Sequence, residues 1–250
     1  MNDPHVAALL YRVKHNETIN YDMALPLEYE TESFKVSIED NKARFEMKEH
    51  FSNVEQAREL IESFIRQWEF ATSLDHGPGE FDLVFLDAVV EYRKPTPGVV
   101  PLKGMAMVCA MGSVSVIVGR SAYPQPPKDV AMNADVEVMA YRYSRYREGR
   151  DTLAGMAYFC LTVLEQAAGN RSKIPGKFGI GSCVISKLGR LTGERGGLEA
   201  RKGRGLSHEF TADERNWIDQ TTKRLIRRVA EVAHDPEAVK QQITMANCRW

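Results

Sequence analysis

Two arginines and a histidine in the stretch LEARKGRGLSHEFTADE, Leu198 to Glu214, are the residue types of a phosphate-handling site. Arg201 precedes His208 by seven positions and Arg204 precedes it by four, with glycines between them. A neutral imidazole can take the proton from an RNA 2′-OH. A guanidinium can stabilise the charge growing on phosphoryl oxygens, and no metal is needed for either step. Thr211 and Glu214 form the Thr-x-x-Glu pattern of a capping box, which predicts a helix starting at Thr211. His208 then stands just before a helix N-terminus, where backbone N–H groups and arginine both suit phosphate. The structural alternative is that His208 and the arginines make helix-terminus contacts and solvated surface.

A second cluster is YRYSRYREGR, Tyr141 to Arg150. Arginines interleaved with tyrosines can stack on bases and grip a backbone, with Arg142 and Arg145 as the contacts. The competing reading, which the pattern favours, is an amphipathic helix with half-buried rings and arginine stems lying over them. GKFGIGS, Gly176 to Ser182, lacks the Gly-Lys-Ser/Thr ending of a phosphate loop and follows no strand, so it reads as a loop. Asp82, Asp87 and Glu91 share one strand-like run. Asp82 and Asp87 fall on opposite strand faces, so no metal site is expected there. His76, beside Gly77-Pro78-Gly79, reads as a solvated loop histidine.

These residues need elements to position them. VAALLYRVKH reads as a first strand, and FKVSIED and ARFEMKEHF form a hairpin about Asp40-Asn41. Ser52 and Glu55 give a capping box for a helix whose apolar positions run from Val54 to Trp68 at helical spacing. FDLVFLDAVVEYR is a further strand, and two more strand-like pieces flank Gly112. The three prolines of YPQPPKD, Tyr123 to Asp129, fit neither helix nor inner strand and mark a domain boundary. After it strand signals vanish. Helices are expected over ADVEVMAYRYSRYREG and DTLAGMAYFCLTVLEQAAG, with a turn at Asn170–Gly179. Further helices are expected from Ser182 to Arg204, weakened at its glycines, and from Thr211 onward. The fold class is therefore an α+β N-terminal domain, residues 1–123, followed by an all-α domain, residues 130–250.

The 250 residues suffice for one large domain or two small ones, and 27% charged residues with 43% hydrophobic ones exclude a disordered or low-complexity chain. A net charge of −1 hides an asymmetry. Residues 1–100 carry 19 Asp/Glu against 10 Lys/Arg, a net of −9, whereas residues 171–228 carry 14 Lys/Arg against 6 Asp/Glu, a net of +8. The basic segment is a footprint for polyanions, or else a dock for the acidic half. The longest uncharged stretch, Gly104 to Gly119, is shorter than the ~20 residues of a bilayer span, so no membrane partner is expected. Cys109, Cys160, Cys183 and Cys248 show neither a CxxC pair nor metal-ligand spacing with histidine. With a polar opening MNDPH, they lead us to expect a reducing, cytoplasmic setting.

The run from Arg201 to His208, with six residues between and a position between two helices, resembles the signature of the HEPN superfamily: Arg, four to six residues, then His. AYFCLTVLEQAAG is similar to that family's aromatic-rich helix, and the resemblance covers about residues 133–234. It implies a HEPN-like helical bundle and metal-independent RNA cleavage of the toxin or antiphage-defence type. It also implies a homodimer that shares the site, and no cofactor. Arg201 would then stabilise the phosphate and His208 would act as base or acid. Arg204, Lys202, Arg142 and Arg145 would hold the nucleic acid. Lys202 stands where the nucleases of the family carry Asn, Asp or His, which favours a second reading: a non-catalytic, protein-binding subunit of a larger complex.

Overall fold

A computed structural model describes residues 3–92, 118–195, 208–237 and 241–248. The chain divides into two compact units. One holds Met1–Thr72 with Gly79–Pro126, and the other holds Ser73–Pro78 with Pro127–Trp250.

The first unit is strand-rich. Strands β1 (Pro4–Lys14), β3 (Leu27–Glu30), β4 (Phe34–Glu39), β5 (Lys42–Met47) and β6 (Asp82–Tyr92) form an antiparallel sheet in the order β3-β4-β5-β1-β6. The short strands β2 (Ile19–Asn20) and β7 (Val118–Gly119) pair in parallel. Asp40 and Asn41 make the two-residue turn between β4 and β5 with φ of 49° and 59°, the left-handed pair that a tight hairpin requires. Helix α1 (Val54–Asp75) lays Ala57, Ile61, Ile65 and Trp68 into a core with Leu9, Val36, Ile38 and Phe45. That spacing is one helical face. Its cap differs from the expected Ser52. The Asn53 side chain accepts the Glu55 amide at 2.7 Å, because Asn is as good a cap as Ser and stands directly before the first helical residue. The proline-rich segment begins docked on this unit: the Trp68 indole N–H donates to the Pro124 carbonyl at 3.1 Å, and the Asn41 amide donates to the Tyr123 hydroxyl at 3.0 Å.

Among its described residues the second unit is helical, and no strand falls between residues 127 and 237 apart from a single bridge, Ile180 to Ile243. It holds α2 (Ala134–Arg147), α3 (Leu153–Ala168), a short α4 (Ile174–Phe178), α5 (Ser182–Glu194) and α6 (Ala212–His234). The expected turn at Asn170–Gly179 thus contains a helical turn, and Gly176 belongs to it rather than to a loop. Helix α3 packs against α2, α5 and α6, which explains its apolar character on several faces. Helix α5 ends at Glu194, ten residues before the expected Arg204. Arg195 turns extended there, with φ −116° and ψ 169°. At Gly189, in the middle of α5, a methyl group would displace the Arg171 guanidinium, which donates to the Ile185 carbonyl at 3.1 Å. Among the described residues no helix is long and apolar enough to cross a membrane.

Two half-buried polar contacts set expectations for stability. In the first unit Glu69 accepts the Leu83 amide at 2.7 Å. Burial pushes the Glu69 carboxyl up to about 7; the Leu83 hydrogen bond opposes this and the neighbouring Asp82 adds to it. Burial raises Asp82 as well, against the pull of Lys14. Both acids hold a proton more tightly folded than unfolded. Their contribution to stability is therefore full below the unfolded value, 4.5 for Glu69, and is lost as pH rises toward 7. Glu69→Gln should flatten that decline, leaving the protein more stable than wild type at pH 8 and little changed near pH 4.5, as read from urea midpoints across pH.

In the second unit the Tyr143 hydroxyl, on α2, donates to Asp219 on α6 at 2.9 Å, and Arg147 reaches the same hydroxyl at 3.4 Å. Burial raises the phenol far above its usual value, Arg147 opposing and the Asp219 charge adding. Tyr143→Phe should cost about 1–2 kcal/mol by leaving Asp219 without that donor, seen as a lower urea midpoint at unchanged slope.

Candidate functional site

Helix α6 starts at a fully formed capping box. The Thr211 side chain accepts the Glu214 amide at 3.2 Å, and the Glu214 carboxylate accepts the Thr211 amide at 3.0 Å. Phe210, the residue before the cap, is buried, and the Arg215 guanidinium lies 5.8 Å from its ring centre. This anchors the chain as it enters the helix. His208, two residues earlier, is exposed beside the start of α6.

His208 lines a cleft of about 200 Å³ together with Arg190, Leu191, Glu194, Arg195 and Glu214. The end of α5 and its C-cap supply the first four of these partners, and the first turn of α6 supplies Glu214. Arg195 is gripped from across the cleft: its Nη1 stands 3.2 Å from Glu214 Oε1 and 3.3 Å from Oε2. Arg190 is exposed. Imidazole and two guanidinium groups thus share one small concavity, with Glu194 and Glu214 as counter-charges. Such a set can bind a phosphoryl group and move a proton beside it. The cap takes up the Thr211 and Glu214 amides at the helix end, and the side chains supply the cations.

Of the residues expected from sequence, Arg201, Lys202 and Arg204 lie outside the described residues, as does Cys109. Arg142 and Arg145 do not line the His208 cleft. Arg142 pairs with Asp151, donating to Oδ1 at 3.4 Å, and lies 5.3 Å from the Phe159 ring centre. Arg145 donates to the Arg150 carbonyl at 3.5 Å. Both serve the corner between α2 and α3. Arg190 and Arg195 escaped sequence reasoning, since Arg195 is thirteen positions before His208 and no local spacing joins them. Glu214 was visible, but only as a cap.

A second, larger cleft of about 350 Å³ lies at the far end of α6, between Lys128, Asp129, Arg228, Glu231, His234, Asp235 and Gln241. Its central cation is spent on structure. Arg228 donates to Glu231 at 2.8 Å and to the carbonyls of Phe178 and Gln241 at 3.1 and 2.8 Å, tying the segment after α6 to α4. Among the described residues no three His, Cys, Asp or Glu are placed to hold a metal ion. No family model, no curated protein and no solved structure matches this chain.

Proposed function

We propose that the protein is a metal-independent endoribonuclease whose helical unit is a HEPN-like bundle, of the kind used in toxin and antiphage systems and acting in the cytoplasm. One observation carries this reading: His208 is exposed in a cleft with two arginines, ahead of a firmly capped helix. His208 accepts the proton of a ribose 2′-OH, which then attacks the adjacent phosphorus. The bond from phosphorus to the 5′-oxygen breaks, that oxygen takes a proton from water, and a 2′,3′-cyclic phosphate remains. Arginines balance the charge that builds on the phosphoryl oxygens. By the resemblance of the Arg201 to His208 run, Arg201 takes that role, Arg204 and Lys202 grip the backbone, and two chains share the site.

The alternative is a scaffold subunit whose bundle holds a protein partner, and it rests on Lys202 in place of the family's Asn, Asp or His. Cleavage of single-stranded RNA separates the two. His208→Ala should reduce it by about 10²–10⁴-fold, while stability changes by about 1 kcal/mol or less, because the side chain is exposed. Wild-type protein that cleaves no RNA with its natural partners present, or a His208→Ala variant that breaks a complex, decides for the scaffold.

Salt gives an independent check. Replacing Arg201, Lys202 and Arg204 together with Ala should weaken RNA binding and lower the slope of log K against log salt, since each neutralised phosphate releases counterions. An unchanged gel-shift titration would place the acidic first half, not RNA, against these cations.

A further inference from the structure

We infer that Arg195 is a second phosphate-holding residue of the His208 cleft, and that Glu214 positions it. The ligand class is a phosphodiester of single-stranded RNA, so the inference rests on the nuclease reading.

The geometry of Arg195 is unusual for a solvated arginine. It follows the last residue of α5, and its backbone turns extended. Its side chain, 43% exposed, pairs with Glu214 in the first turn of α6. Among the described residues that pair engages Nη1, one of the nitrogens of a guanidinium that carries five N–H donors. Glu214 is itself fixed, because its Oε2 also accepts the Thr211 amide at 3.0 Å and its side chain is only 20% exposed. A carboxylate locked by a helix cap thus holds the arginine in one orientation beside His208. That removes much of the ordering cost a free arginine side chain incurs on binding phosphate. Arg190, five residues earlier and within α5, is exposed and adds charge to the cleft.

The position also fits the chain. Residues 196–207 begin after Arg195 and end before His208, so the two cleft residues flank the stretch that contains Arg201. Arg195 brings a cation to the histidine that does not depend on that stretch.

The test uses the full-length protein and two readouts. Inorganic phosphate is titrated while the His208 ring resonances are followed by NMR, and RNA cleavage is resolved into KM and kcat. Arg195→Ala should weaken phosphate binding at His208 by about tenfold or more, and Arg195→Lys should restore part of it, since lysine keeps the charge but not the fork. Glu214→Gln preserves the capping box, because Gln at that position serves equally, and removes only the charge that holds Arg195. It should leave the urea midpoint near wild type, weaken phosphate binding severalfold and raise KM for RNA more than it lowers kcat.

Phosphate that leaves the His208 resonances unmoved overturns the inference, as does an unchanged titration in Arg195→Ala. If His208→Ala abolishes cleavage while Arg195→Ala cleaves normally, the nuclease reading stands and Arg195 is no part of it. Arg195-dependent phosphate binding in a protein that cleaves no RNA keeps the phosphate site and removes the nuclease reading. Tighter phosphate binding in Glu214→Gln would mark the carboxylate as a neutraliser and overturn its positioning role. If Arg195→Ala fails to fold, Arg195→Lys carries the same readouts.

Discussion

A long helix can begin only where its first amides find acceptors, and in this protein that requirement falls on Thr211 and Glu214. Once the start of α6 is fixed, its 23 residues present Trp217, Ile218, Leu225, Ile226 and Val229 on one buried face. That face sets α6 against α3, and α3 in turn carries α2 and α5. The same carboxylate that closes the cap reaches Arg195 at the end of α5. One side chain therefore ties a helix start to a helix end, beside the cleft that His208 lines. Losing it would loosen local geometry before it loosened the core, because the apolar face lies further along the helix.

The two units handle buried polar groups differently. In the helical unit Tyr143, Asp219 and Arg147 satisfy one another across α2 and α6, and Lys223 adds its charge 3.9 Å from Asp219. Thr192 and Thr222, both buried, donate back to the carbonyls of Leu188 and Ile218 within their own helices. In the strand-rich unit Glu69 has the Leu83 amide as its donor, with another acid beside it. A carboxyl so placed holds its proton more tightly than a solvated one.

Much of the order of elements was legible because it rests on local rules. Asp40-Asn41 is a hairpin turn on its own chemistry, and the Val54 to Trp68 spacing is a helical face wherever it is found. The capping box at Thr211 needs only residues three apart. What was not legible depends on contacts distant in sequence. The end of α5 cannot be read from its glycines: Gly189 lies inside the helix with the Arg171 guanidinium packed over it, while Gly193 precedes the true end by one residue. The move of the first helix cap from Ser52 to Asn53 is a choice between two equally good caps. For the site, the place of His208 before a capped helix follows from local sequence, but its described companions Arg190 and Arg195 come from the preceding helix and meet it only through the fold. Arg142 and Arg145 showed the converse: a stripe of residue types suited to nucleic acid whose bonds, in place, brace a corner between helices.

The indoles of Trp68 and Trp217 have a further consequence. Trp68 is fully buried with its N–H bonded to the Pro124 carbonyl, while the Trp217 ring faces the Lys187 ammonium at 4.1 Å. Trp68 sits in an apolar core and Trp217 under a cation, and they belong to different compact units. Their emission should differ in colour and in response to charge. With Trp250, the third tryptophan, replaced, loss of the strand-rich core and loss of the helical one become separable optical events, each with its own intrinsic reporter.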